Sequence, residues 1–176
     1  MNRTSASLVI VALAVTAVGC GDDGRGYAVP EKICDTKVDP DLLAPLLSDG
    51  EKIHQRDVPR EHGATCDVSV QGGDGGGVYI TRDAVTEGVD PLEVKKDTLI
   101  GYGNAKKVDI GDDARLGDKG ALVTTSCAPK GKDTTFALEV SLSSPTPKDV
   151  SERRKALERF LRSYLPTAAK AQGCRS

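Results

Sequence analysis

The chain has no tryptophan, a single methionine and only 3% aromatic residues, so a folded core must be built from Val, Leu, Ile and Ala rather than from large rings. It also has no long basic run. A net charge of −2 spread over 176 residues with well-mixed signs lacks the electrostatic footprint of a nucleic-acid binder and excludes that class of partner. Motifs for nucleophilic or metal catalysis are missing: no G-x-S-x-G elbow, no S-x-x-K pair beyond residue 20 and no H-E-x-x-H helix. None of the five cysteines has C-x-x-C spacing, which sets aside zinc knuckles and thioredoxin-like redox chemistry. Finally, no apolar run approaches the roughly 20 residues that a helix needs to cross a bilayer.

The most informative segment is at the start. A charge at Arg3 is followed by an apolar run from Leu8 to Val18, then Gly19 and Cys20. A run of about this length is the core of a secretory signal and is too short for a membrane span. The ending Ala17-Val18-Gly19-Cys20 resembles the lipobox of a bacterial lipoprotein precursor, although Ala17 stands where that family most often has Leu. The resemblance implies that the Cys20 thiol receives a diacylglyceryl group, that residues 1–19 are removed, and that the product is held by lipid, palmitate included, on the extracytoplasmic face of the cell membrane. A plain secretory cut at the same place, with Ala17 and Gly19 as its small residues, is the alternative. Both routes export the chain.

Cysteine parity agrees. Removing Cys20 for acylation leaves Cys34, Cys66, Cys127 and Cys174, an even set in an exported protein, where disulfides persist. Two bridges are expected. A strand ending at Cys127, its returning partner and a C-terminal helix running back along the sheet bring Cys174 to Cys127; Cys34 with Cys66 follows by elimination.

Cleavage removes one cation and no acid, giving the mature chain 23 cations against 26 acids, a net charge of −3. Residues 20–28, with Gly21-Asp22-Asp23-Gly24-Arg25-Gly26, read as a lipidated cysteine and flexible tether, and residues 29–176 as one extracytoplasmic domain. Asp39-Pro40 supplies a cap and a first-turn proline for a short helix with Leu42, Leu43, Leu46 and Leu47 on one face. Cys66, Val68 and Val70 alternate with polar residues as in a half-buried strand, and Val78 to Arg82 returns beside them after the Gly72–Gly77 connection. Weaker strands are expected at Thr98–Tyr102 and Lys106–Ile110, and a second hairpin joins Ala121–Cys127 to Thr134–Leu142. From Thr146-Pro147 onward, Val150, Leu157, Phe160, Leu161, Tyr164 and Ala168 mark a long amphipathic helix, with Pro166 expected to kink or break it. Asp149 with Arg153 and Glu158 with Arg162 have the spacing of i,i+4 ion pairs. The order of elements gives an α+β fold: an antiparallel sheet of about four to six strands under a C-terminal helix.

Four groupings invite a chemical reading. The Gly72–Gly77 loop lacks the Lys-Ser/Thr ending of a phosphate cradle and reads as a hairpin turn. His54 and His62, with Glu51, Asp57 and Glu61, match no metal-ligand spacing and read as a charged surface loop. Asp109, Asp112, Asp113 and Asp118 crowd a glycine-containing loop without the EF-hand order, leaving calcium as an alternative. The C-terminal helix holds seven cations and three acids between Lys148 and Lys170, so an anionic lipid surface competes with a packed apolar stripe as its neighbour. Burial of Phe160, Leu161 and Tyr164 decides between them.

The chain beyond the lipobox resembles, through its four cysteines and the helix ending just before the last, the small four-cysteine exported lipoproteins of actinobacteria. That resemblance implies location and fold type and carries no functional residues. The reading is a non-enzymatic binding or accessory module at the cell surface. It has no cofactor or metal; its partners are the membrane, through lipid, and a protein or cell-wall ligand. A small cell-wall-active hydrolase and a calcium-dependent surface module are the alternatives, and a two-lobed transport receptor is disfavoured by length.

Overall fold

The computed structural model describes residues 24–127 and 134–174; the signal segment and Cys20 lie outside them. After a short hairpin of β1 (Lys32–Ile33) and β2 (Thr36–Lys37) comes α1 (Pro40–Leu43), continued by a 3₁₀ turn at Ala44–Leu46. The Asp39 carboxylate caps α1 by accepting from the Asp41 N–H at 3.0 Å, and Leu43, Leu46 and Leu47 are fully buried. Three nine-residue strands follow, β3 (Lys52–Arg60), β4 (Gly63–Gln71) and β5 (Gly77–Val85). Then come α2 (Pro91–Val94), α3 (Lys96–Gly101), β6 (Lys106–Lys107), β7 (Asp113–Leu116), β8 (Gly120–Cys127), β9 (Thr134–Leu142) and α4 (Val150–Ala171).

The seven strands form one sheet, in the order β3-β4-β5-β9-β8-β7-β6, with every pair antiparallel. The two hairpins legible in the sequence are joined by β5 and β9, with Ile80 opposite Val140 and Arg82 opposite Leu138. One face carries Val68, Val78, Ile80, Val123, Leu138 and Val140, all completely buried. Helix α4 covers that face with Leu157, Phe160, Leu161 and Ala168 at 0% exposure and Tyr164 at 1%; the Phe160 and Tyr164 rings stack with centroids 5.1 Å apart. These side chains are therefore core, which decides for the packed apolar stripe and against a lipid surface as the neighbour of this face of the helix. No helix among the described residues is long and apolar enough to cross a membrane.

The disulfides are Cys34–Cys66 and Cys127–Cys174, with Cα separations of 5.8 and 4.6 Å. The first fastens the β1–β2 hairpin to β4; the second fastens the end of β8 to Cys174, three residues past the end of α4.

Several expectations need correction. The sheet has seven strands rather than four to six, because β3 and β7 lie where charged loops were read. Thr98–Tyr102 falls in α3 and its C-cap, not in a strand. Helix α4 is capped by Asp149, whose carboxylate accepts from the Glu152 N–H at 2.8 Å, so the cap is not at Thr146. The helix runs unbroken past Pro166. Pro166 and Arg162 both face solvent, so the carbonyl that loses its helical partner sits where water can reach it. Glu158 and Arg162 pair at 2.8 Å, whereas Arg153 turns inward away from Asp149. Nor is the whole of 20–28 free of the domain: the Gly26 N–H donates to the Gly50 carbonyl at 2.7 Å, the Tyr27 hydroxyl to Ser48 O at 2.6 Å, and an Arg25 guanidinium N–H to Ala44 O at 3.0 Å.

The turn between β7 and β8 is tied to α4 by charge. Asp118 accepts from Asn104 at 2.7 Å and from Arg154 at 2.9 Å, and these donors hold its carboxyl below the usual carboxylate range. Desolvation pushes Asp113 upward, but its bond from Arg115 and the charges of Arg115 and Lys107 outweigh it, so that group also sits low. A carboxyl whose folded pKa is depressed contributes stability above its unfolded value, near 3.9, and loses it as pH falls through the folded value. The urea midpoint should therefore be level from pH 7 to about 5 and fall below about pH 4. In Asp118→Asn the neutral midpoint should be lower and the acid decline shallower; an unchanged acid limb would show that Asp118 does not contribute.

Candidate functional site

Strand register decides which side chains face away from α4. On β5 these are Tyr79, Thr81, Asp83 and Val85; on β9 they are Ala137, Glu139 and Ser141, with Leu122 beside them on β8. This second face is covered only in part, by a strap made of α2 and α3. The Asp90 carboxylate caps α2 by accepting from the Leu92 N–H at 2.9 Å. Leu99 and Tyr102, three residues apart and so on one helical side, pack on Leu122 and Ala137 to form a small second core. Glycine is needed at position 120: a Cβ there would lie 2.7 Å from carbons of the Tyr102 ring.

A polar knot fixes the strap. The Tyr102 hydroxyl donates to Glu139, and Lys95 Nζ pairs with the same carboxylate at 2.9 Å. Burial, then the bond to Glu139 and its charge, push the Tyr102 hydroxyl far above its ordinary pKa. Both carboxylate oxygens of Glu139 thus have partners.

Beside the strap, where it meets the β3–β4 turn, lies an open groove of about 330 Å³. Its floor is Val85, Leu122 and Ala137, and the strap side adds Val89 and Val94, which are 44% and 68% exposed. Across from them stand Arg60, Glu61, His62 and Asp83. Five of the six large hydrophobic side chains exposed among the described residues, Val58, Tyr79, Val89, Val94 and Ile100, belong to this side of the sheet or its strap. The α4 side is sealed; this side is not.

The histidines are not brought together. His54 is near the start of β3 and shares a bond with Gln71 at 2.9 Å, while His62 sits in the β3–β4 turn, 3.8 Å from Glu61. The six strand steps from His54 to Arg60 cover about 20 Å, and His62 lies beyond them. The four aspartates diverge as well: Asp112 accepts from the Ser126 N–H and hydroxyl, Asp113 faces Arg115 and Lys107, Asp118 faces Arg154 and Asn104, and Asp109 is exposed. No group of three or more His, Cys, Asp or Glu suited to a metal occurs among the described residues. The Gly72–Gly77 segment joins β4 to β5, and its Gly76 N–H donates to Ser48 Oγ at 3.0 Å. Cys20 lies outside the described residues.

Arg60, Asp83, Lys95 and Glu139 were missed as a site because they come from four separate stretches. One signal was present: Glu139 is the lone charge in the alternating run from Phe136 to Leu142, and a charge there sits in the middle of a sheet rather than at its end. Comparison with models of known protein families, with curated proteins and with solved structures finds no match.

Proposed function

We propose that the protein is a lipid-anchored module on the extracytoplasmic face of the cell membrane, and that it binds a cell-surface ligand in the groove beside the strap without chemically changing it. The observation that carries this reading is the unequal cover of the sheet, sealed by α4 on one face and open over an apolar floor on the other. A groove of about 330 Å³ is at the lower end of the range for small-ligand sites. Position supports it too. The chain enters the domain at Gly26, bonded to Gly50 beside the start of β3, whereas the groove lies at the opposite end of the β3–β4 hairpin, about 30 Å away along a nine-residue strand. An anchor at Cys20 would leave the groove turned away from the bilayer. Binding is favoured over hydrolysis because Glu139, the most enclosed carboxylate of the groove, is already engaged by Tyr102 and Lys95. The separate partners of Asp112, Asp113 and Asp118 weigh against a calcium-dependent module.

Two measurements test it. Cys20→Ser should move the protein from the membrane fraction into the medium, and retention on the membrane would remove the anchor. In cells, a photo-crosslinking residue at position 94 on the groove should capture an envelope component that the same residue at position 159 on the outer side of α4 does not. Equal capture from both positions would remove the groove from the proposal.

A further inference from the structure

We infer that residues 86–100, most of the strap, form a lid that swings off β8 and β9 while the rest of the domain stays folded. Its two ends are held unequally. At the C-terminal end the chain is clamped: the Asp118 and Lys119 N–H groups donate to Tyr102 O at 2.9 and 3.2 Å, and an Arg154 guanidinium N–H donates to Asn104 O at 3.1 Å. Among the described residues the other end has no such clamp. Thr86 to Asp90 are exposed, and Gly88 takes a positive φ of 80° where a Cβ would meet nothing within 4 Å, so glycine there serves the bend of the chain and not its packing. Every backbone hydrogen bond that residues 86–100 make among the described residues stays within the strap. One ion pair, Lys95 with Glu139 at 2.9 Å, and one buried side chain, Leu99, hold the segment to the sheet.

Leu99 packs in the small second core with Tyr102, Leu122 and Ala137, apart from the main core under α4. Losing it leaves the main core intact. Val94 and Ile100 are exposed, so one leucine, one ion pair and the half-buried Pro91, Leu92 and Thr98 stand against the conformational entropy of ordering the segment. That balance is narrow. An isolated helix needs about 12 residues to persist in water, whereas α2 has four and α3 six. The segment therefore unwinds when it leaves the sheet and has two states, docked and open. Grooves of about 330 and 580 Å³ undercut it on its β5 and β7 sides. Opening removes the wall between them and uncovers Leu122 and Ala137, 2% and 7% exposed under the docked lid, so that one apolar strip runs across β9 and β8. Glu139 loses Lys95 but keeps the Tyr102 hydroxyl, because Tyr102 stays with the clamp. The groove proposed above as ligand site is the part of this strip that the docked lid leaves open; the lid itself does not depend on a ligand.

The test is native-state hydrogen exchange on the whole mature chain, residues 20–176 carrying Cys20→Ser, under conditions where the rate reports the opening equilibrium. The Val94, Lys95 and Leu99 N–H groups donate within the strap, to the Asp90, Pro91 and Lys95 carbonyls. After correction for intrinsic rates they should share one opening constant and exchange about a hundredfold faster than Leu138 and Val140, which lie on β9 with a strand paired on either side. Low urea should speed the two strand amides and leave the three lid amides almost unchanged, because a small opening exposes little surface. Ile80→Val, in the main core, should speed the strand amides about fivefold without altering the lid amides. Lys95→Met should speed Val94 and Leu99 about fivefold. If the lid amides respond to urea and to Ile80→Val as the strand amides do, the lid opens only when the domain unfolds and the inference is overturned. If they exchange at unrelated rates that Lys95→Met does not change, the segment frays residue by residue and the inference is overturned as well. Neither outcome touches the groove as a ligand site, which the crosslink at position 94 decides separately.

Discussion

Replacing Cys127 and Cys174 together by alanine should lower the unfolding free energy by about 4 kcal/mol, the chain-entropy value for a closed loop of this size. The two residues are 47 apart in sequence, and the loop they close contains β9 and all of α4, which supply 13 of the 31 buried hydrophobic residues among those described. Their sulfurs are part of that core: Cys127 is 5% exposed and Cys174 packs against it. For a chain of this size, 1 kcal/mol corresponds to roughly 2–4 °C, so the melting temperature should fall by about 8–16 °C. Thermal unfolding followed by circular dichroism measures this directly, and a fall below about 2 °C would show that the denatured chain was not restrained by the bridge. The Cys34–Cys66 bridge closes a loop of similar size, with a sequence separation of 32, and chain entropy ranks it only slightly lower. The two differ in what they hold: a two-stranded hairpin in one case, the end of the covering helix in the other.

The Cys127–Cys174 pairing could be reasoned from the sequence because the strands and helix around it have strong periodicity, whereas Cys34–Cys66 followed only by elimination. Cys66, Val68 and Val70 alternate on β4, Phe136, Leu138, Val140 and Leu142 alternate on β9, and the apolar stripe of α4 repeats at helical spacing. Elements without such a pattern were illegible for physical reasons. Strand β3 has one half-buried residue, Ile53, and is otherwise exposed along its length, so no alternation marks it; it is a strand because β4 offers it a full ladder of backbone partners. Its lysine and arginines and Pro59 suit a sheet edge that must not pair further. Thr98 to Tyr102 reads locally as strand-forming, but Leu99 and Tyr102 reach Leu122 and Ala137 together only from a helix. The candidate groove was less legible still. Its charges are spaced for contact across strands and strap, and no spacing along the chain records that.

Arg153 is the residue where the two readings differ most in magnitude. Its i,i+4 spacing from Asp149 predicts a surface ion pair, whose loss would cost roughly 0.3–0.5 kcal/mol. In the structure it is 5% exposed. It donates through Nε to Asp118 O at 2.5 Å, and through a guanidinium N–H to Pro147 O at 2.5 Å and Lys148 O at 3.1 Å. One planar group thereby satisfies carbonyls from the β7–β8 turn and from the approach to α4, joining the helix to the sheet. Arg153→Met keeps much of the stem's packing but strands three carbonyls, and should cost about 3 kcal/mol, the lower end for removing one member of a buried charged network. Arg153→Lys should recover less than half of this, because one ammonium lacks the fork that spans two segments. Asp149→Ala should cost about 1 kcal/mol through the lost cap on Glu152. The double variant, measured by urea unfolding, separates the two pictures: without a direct bond between the side chains the two losses should add to within about 0.5 kcal/mol. A larger shortfall from additivity would restore the surface pair and remove Arg153 from the interior.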